Sequence, residues 1–254
     1  MAKNDAAKEM KSNLGGTANV VFSFDCTGSM APVIQQVRQK LRDLVEMMSA
    51  DIPNFKIGLI AHGDYCDGAN AIHVLDLTND LEKIMTFISS TPNVGGGDAP
   101  ECYELALHRA SLMSWPKEGG SLVLIGDDQP HTPDYPGNTD KLDWREEVKR
   151  LKAMNVNVFP MQCLMMPHRK EENKFWEDVS GLSETPLLIL ENFAESSDVL
   201  GAVAYASAGE EAYGKYMTKS LYNVGSNNMA ENRTKLRGFA NKKKADETPE
   251  EKTE

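Results

Sequence analysis

A chain of 254 residues, 41% hydrophobic and 26% charged, has the composition of a globular protein and enough length for one large α/β domain. Its formal net charge of -11 excludes general nucleic-acid binding, which needs a basic footprint, and suits a protein that meets cations or basic surfaces. The polar start MAKNDAAKEMKSNLGG lacks the apolar core of a signal peptide, and no apolar run reaches the roughly 18 residues of a membrane span.

Residues 1–17 are expected to form a flexible N-terminal arm. The apolar stretch Asn19–Phe24 reads as a strand buried on both faces, ending at Asp25. Val33, Val37, Leu41, Leu44, Val45 and Met48 recur at helical steps behind Pro32, which a first helical turn accepts. Phe55–Ala61 is a second buried strand and Ala71–Leu75 a short third. The link between them, HGDYCDGAN, is too short for a crossover helix, so this pair should run antiparallel. Leu81–Ile88 reads as a short helix, Val94–Pro100 as a glycine-rich loop and Glu101–Met113 as a helix. Ser121–Ile125 is a strand closed by Gly126, Asp127 and Asp128, followed by a long polar loop. Leu142–Met154 is a helix with Trp144, Val148 and Leu151 inward. Val156–Met161 is a strand, Glu171–Val179 a helix and Pro186–Leu190 a strand. Ala194 to Leu221 is helical again, with Val199, Val203, Tyr213 and Met217 as core candidates.

This alternation predicts one domain over residues 18–225, including a C-terminal helix, then a polar, disordered tail over 226–254. The fold class expected is α/β: a doubly wound, mostly parallel six-stranded sheet, one short antiparallel edge strand, and helices on both faces. The four cysteines, Cys26, Cys66, Cys102 and Cys163, form no CxxC motif. With no export signal they read as thiols of a reducing, cytoplasmic compartment. None of the five histidines has ligand spacing to a cysteine, so no zinc site is expected.

In such sheets ligands bind at the carboxyl ends of strands, near the switch in strand order. Three polar loops should meet there. Asp25-Cys26-Thr27-Gly28-Ser29 offers a carboxylate and two hydroxyls, with Gly28 allowing the tight turn. The glycine loop brings Asp98, and the fourth strand brings Asp127. Carboxylates and hydroxyls are hard oxygen ligands, suited to magnesium, manganese or calcium.

The phrase FSFDCTGSM, Phe22 to Met30, resembles the metal-ion-dependent adhesion site of von Willebrand A domains. GGGDAPE, Gly95 to Glu101, and LIGDDQPH, Leu124 to His131, resemble the second and third loops of one branch of that family. The resemblance implies a Rossmann-like von Willebrand A fold. It implies that Thr27 and Ser29 bind a magnesium-like ion directly, and that Asp25 and Asp127 bind it directly or through water. The second loop of the family usually supplies a threonine; the matching position here is Asp98, whose charge should tighten cation binding and weaken the ion's pull on an incoming carboxylate. The function implied is a non-enzymatic, metal-dependent protein-binding module of the adhesion or adaptor kind, its partner contributing an acidic side chain to the ion. An alternative is a subunit serving an AAA+ ATPase in a chelatase-like complex.

Other readings compete at each residue. Asp25 and Asp98 are also plausible helix caps. Asp64 and Asp67 read as turn residues. His62 and His131 are expected at the rim of the site, not as ligands of a hard cation. A phosphatase of the haloacid-dehalogenase type is disfavoured: it needs a second aspartate where Thr27 stands and a lysine that Leu122–Gly126 lacks.

Overall fold

Thr17–Asp25 forms β1, at the middle of the sheet, and burial on both faces explains why its apolar residues run almost without alternation. The computed structural model describes residues 17–52, 54–97, 99–164, 173–190, 196–220 and 227–247. After β1 come a 3-10 turn, Gly28–Met30, and α1, Ala31–Asp51, with proline in its first turn. β2 (Asn54–His62) lies parallel to β1, in register from Thr17↔Asn54 to Asp25↔His62. A second 3-10 turn, Tyr65–Asn70, leads into β3 (Ile72–Thr78), antiparallel to β2. There follow α2 (Leu81–Ser90), α3 (Tyr103–Ser111), β4 (Gly120–Gly126), α4 (Trp144–Ala153) and β5 (Val156–Cys163). The chain continues through α5 (Asn173–Ser183), β6 (Leu188–Leu190), α6 (Ser196–Ser207), α7 (Glu210–Ser220) and α8 (Asn227–Glu247).

The strand order is β3-β2-β1-β4-β5-β6, and every neighbouring pair is parallel except β2 with β3. This is the expected six-stranded sheet with its antiparallel edge strand, although β3 runs to Thr78 rather than stopping at Leu75. The order reverses between β1 and β4, so Asp25 and Asp127 stand at the switch point, where adjacent crossovers leave in opposite directions.

Successive residues of each strand feed two cores. Val20, Phe22, Phe24, Val123, Ile125 and Phe159 pack with α1, α2, α6, α7 and α8. Val21, Leu122, Leu124 and Val158 pack with Leu107 of α3, Val148 and Leu151 of α4 and Trp176 of α5. Trp144, Val199, Val203, Tyr213 and Met217, expected in the core, are all buried.

Two expectations near the C-terminus are corrected. The single helix expected over Ala194–Leu221 is divided into α6 and α7 at Gly209, whose φ of +106° a helix cannot contain. The tail expected from residue 226 instead forms α8 over Asn227–Glu247. Its apolar residues are few but well placed. Asn232, Leu236 and Ala240, four apart and so on one face, are all buried, and Phe239 meets Phe159 edge-on at 4.8 Å. Asn232 also replaces a strand. Its amide oxygen accepts from Ile189 N at 3.1 Å and its amide nitrogen donates to Ile189 O at 2.7 Å, along the outer edge of β6. The arm expected over residues 1–17 lies outside the described residues except for Thr17, which opens β1. Among the described residues no helix is long and apolar enough to cross a membrane.

Candidate metal centre

Backbone hydrogen bonds stitch three loops together at the carboxyl edge. Val94 N donates to Cys26 O at 3.0 Å, tying the glycine loop to the turn after β1. Cys102 N donates to Gly63 O at 3.0 Å, and Glu101 N donates to Gln129 O at 2.9 Å. The foot of α3 is thus fixed to the ends of both β2 and β4, as a convergence of loops requires.

Asp25 is fully buried at the end of β1. Its Oδ1 accepts from Thr27 N at 2.8 Å and from the Thr27 hydroxyl at 2.7 Å, while its Oδ2 accepts from the Tyr103 hydroxyl at 3.1 Å. Burial pushes this carboxyl up to about 7; the Thr27 and Tyr103 hydrogen bonds oppose the rise, and the negative charge of Asp127 adds to it. The capping reading of Asp25 does not hold, since the residue ahead of α1 is Met30 and no side chain caps that helix. Thr27 is buried, Ser29 is exposed on the 3-10 turn, and Asp127 is half-buried just beyond β4. Asp98 lies outside the described residues.

The acid that the glycine loop does place at this edge is Glu101, which sequence reasoning did not assign. It is buried, its side chain reaches Thr27, and its Oε2 has no hydrogen-bond partner. Burial, then the charges of Asp25, Asp64 and Asp128, push it up to about 10. Gly96, at φ +70°, lets the loop cross over it: a Cβ there would come 2.9 Å from Glu101 Oε1. The available signal was the glycine run just ahead of a buried acid.

Tyr103 was missed as well. It is buried at the first position of α3, and its hydroxyl, besides donating to Asp25, accepts from Asp128 N at 3.3 Å. It joins the turns after β1 and β4 and packs edge-on against His62 and Trp176. His62 is interior rather than at the rim. Burial lowers it to about 3, so it stays neutral and shares a hydrogen bond with the Ser23 hydroxyl.

The chemistry of this donor set fits a hard cation. Acids crowd one edge, a buried carboxylate oxygen of Glu101 is unsatisfied, and the Thr27 hydroxyl, having given its proton to Asp25, keeps lone pairs.

Beside this edge lies a second cluster. Asp64 and Asp67 form a reciprocal cap of the 3-10 turn, the turn role expected of them. Asp64 Oδ1 also meets His131 Nε2 at 2.7 Å, and the His131 ring stacks on Tyr135 with centroids 3.8 Å apart. His131, expected at the rim, is buried.

No family model matches the sequence. A curated relative, the alpha-protein kinase vwkA of Dictyostelium discoideum, is 25% identical over 154 residues, which cover 56% of this chain and 24% of the kinase. Among solved structures, the pilus adhesin SpaC from Lactobacillus rhamnosus GG is similar at a TM-score of 0.61 and 15% identity, covering 79% of this chain and 31% of SpaC. Its open conformation gives a TM-score of 0.59 at 13% identity, over 79% of this chain and 30% of SpaC. The chain therefore spans less than a third of either protein, and the likeness to SpaC is one of fold. The switch-point sheet and the likeness to SpaC show a Rossmann-like α/β fold.

Proposed function

We propose that this chain is a non-enzymatic protein-binding module that grips its partner through one hard divalent cation at the β1–β4 edge. The observation that carries the reading is Asp25, a buried carboxylate at the switch point, held by Thr27 and flanked by Asp127 and by the unsatisfied Glu101 oxygen. In this reading Asp25, Thr27, Ser29, Glu101 and Asp127 hold the ion, and Asp98 remains a candidate from the sequence. Magnesium, manganese and calcium all suit an oxygen set. When bound, the ion supplies positive charge and a coordination position for an acidic side chain of the partner.

The residues themselves prepare that contact. Thr27 fixes the Asp25 carboxylate through two hydrogen bonds, so binding costs little reorganisation. Ser29 and Asp127 stand at the open side of the edge, where a partner approaches. Likeness to a pilus adhesin supports an adhesive use of the fold; the kinase relative contributes nothing on activity, because the match spans only 24% of it.

Calorimetry with each of the three cations on the wild type, Asp25→Ala and Glu101→Gln tests the reading. Binding of one ion to the wild type and none to Asp25→Ala is expected, with chelator-sensitive capture of a partner protein. The absence of heat at millimolar cation, together with partner capture that survives both chelator and Asp25→Ala, would overturn it.

A further inference from the structure

Asp64 follows β2, Cys102 precedes α3, and His131 lies in the loop after β4. One ligand atom from each lies within 4.8 Å of the other two, and all three residues are buried. A carboxylate oxygen, a thiol sulfur and an imidazole nitrogen make a mixed set. Hard cations gain little from sulfur and nitrogen, whereas zinc accepts all three atoms.

A buried aspartate–histidine pair accounts for Asp64 Oδ1 and His131 Nε2, but not for the rest. Asp64 Oδ2 is buried and has no hydrogen-bond partner of regular geometry; beside it stands only a weak donor, the Cys66 thiol. The space over that oxygen is kept by a glycine. A Cβ at Gly97 would fall 2.9 Å from Asp64 Oδ2 and 2.6 Å from Cys66 Sγ. The three side chains are also held in place. Stacking on Tyr135 fixes the imidazole plane, Tyr65 N donates to Asp64 Oδ1 at 2.6 Å, and Cys102 is anchored by its backbone bond to Gly63. Such outer contacts are what orient metal ligands.

We propose that Asp64, Cys102 and His131 form a binding site for a zinc-type ion, separate from the hard-cation edge at Asp25. Tetrahedral zinc sets its ligand atoms roughly 3.3–3.6 Å apart. The Asp64–His131 contact of 2.7 Å therefore opens by somewhat under 1 Å, and Cys102 closes in from at most 4.8 Å. Binding releases the Cys102 thiol proton to solvent and leaves the imidazole proton on Nδ1, so that Nε2 offers its lone pair. Three protein ligands leave the fourth position, on the Gly97 side, to water.

The test uses the full chain, reduced and stripped of metal, with magnesium in millimolar excess to occupy hard-oxygen sites. Zinc is titrated against a competing chromophoric chelator, and cobalt(II) serves as the spectroscopic probe. One zinc per chain is expected, with a thiolate-to-cobalt charge-transfer band in the near ultraviolet. Cys102→Ser should lose that band and weaken zinc binding by at least about tenfold, while Asp25→Asn should leave both unchanged. Failure of Cys102→Ser to fold shifts the comparison to His131→Gln, expected to weaken zinc equally; the wild-type cobalt spectrum needs no variant. An absent band in the wild type, a band that survives Cys102→Ser, or zinc binding that is lost in Asp25→Asn would each overturn the proposal.

Discussion

Asp25 and Asp64 are fully buried carboxylates at the ends of adjacent parallel strands, yet their acidities are displaced in opposite directions. Burial and Asp127 push Asp25 up to about 7 despite the donors Thr27 and Tyr103. Burial also pushes Asp64 up, but Cys66, His131 and Tyr65 outweigh it and hold that carboxyl below its ordinary value. Burial sets the penalty and the partners decide whether it is offset. The Asp64 region carries its own imidazole. The Asp25 region collects acids and leaves the compensating charge to come from outside.

The largest expected effect breaks the compensated side. In chelator at neutral pH, His131→Ala leaves Asp64 buried without its imidazole and should cost roughly 3–5 kcal/mol in urea denaturation. Adding Asp64→Asn to His131→Ala should recover part of that loss, because the stranded charge is then gone. Equal costs for the single and double variants would erase the distinction between the two aspartates.

The pH dependence sharpens the same contrast. Asp25 has a folded pKa above its unfolded value, so its contribution is fully present below about pH 4 and is lost as pH rises towards 7. In chelator the wild type should therefore lose on the order of 4 kcal/mol from this group across that window. Asp25→Asn should make that segment shallower without flattening it, because Glu101, pushed up to about 10, contributes with the same sign. Asp64 has the opposite sign: its depressed pKa gives stability that disappears only as pH falls through the folded value. Denaturation midpoints measured from about pH 2 to 8 separate the two, since Asp64 acts below its ordinary value of 3.8 and Asp25 above it.

Cation should then reverse the Asp25 loss. At a magnesium concentration about 100 times the dissociation constant, the wild type should gain roughly 2.7 kcal/mol at pH 7.5, and Asp25→Asn should gain nothing. A thermal-shift series with and without magnesium reads this directly; equal gains in both proteins would place the ion elsewhere.

The smallest effect concerns the residue beneath the edge. Tyr103→Phe removes the donor to Asp25 Oδ2 and the acceptor of Asp128 N, and should cost about 1 kcal/mol. It should also move the Asp25 transition to higher pH, a shift that a purely packing role would not produce.

Legibility in the sequence followed distance along the chain. Asp25 and Thr27 are two residues apart, and their hydrogen bonds arise within one turn, so the DxTxS pattern announced them. The sheet was equally plain, because strands buried on both faces read as apolar runs and the nine-residue link before β3 forbade a crossover. Glu101 was harder. It sat inside the glycine motif, but its place depends on how Gly96 crosses over it. Asp64 and His131 are 67 residues apart and meet only through the sheet, so ligand-spacing rules built for short motifs passed over them. α8 was hidden because three positions four apart, with Phe239 beside them, suffice to dock a helix whose other residues are mostly polar.

The amide of Asn232 has a consequence for synthesis. β6 is an edge strand, and an open edge recruits other strands. Its seal at Ile189 comes from a residue 43 positions later in the chain. At 5–20 residues per second the ribosome takes about 2–9 s to supply it. During that interval the β6 edge of the nascent sheet stays open, which makes the arrival of α8, rather than the pairing of β6 with β5, the step that ends the exposure there.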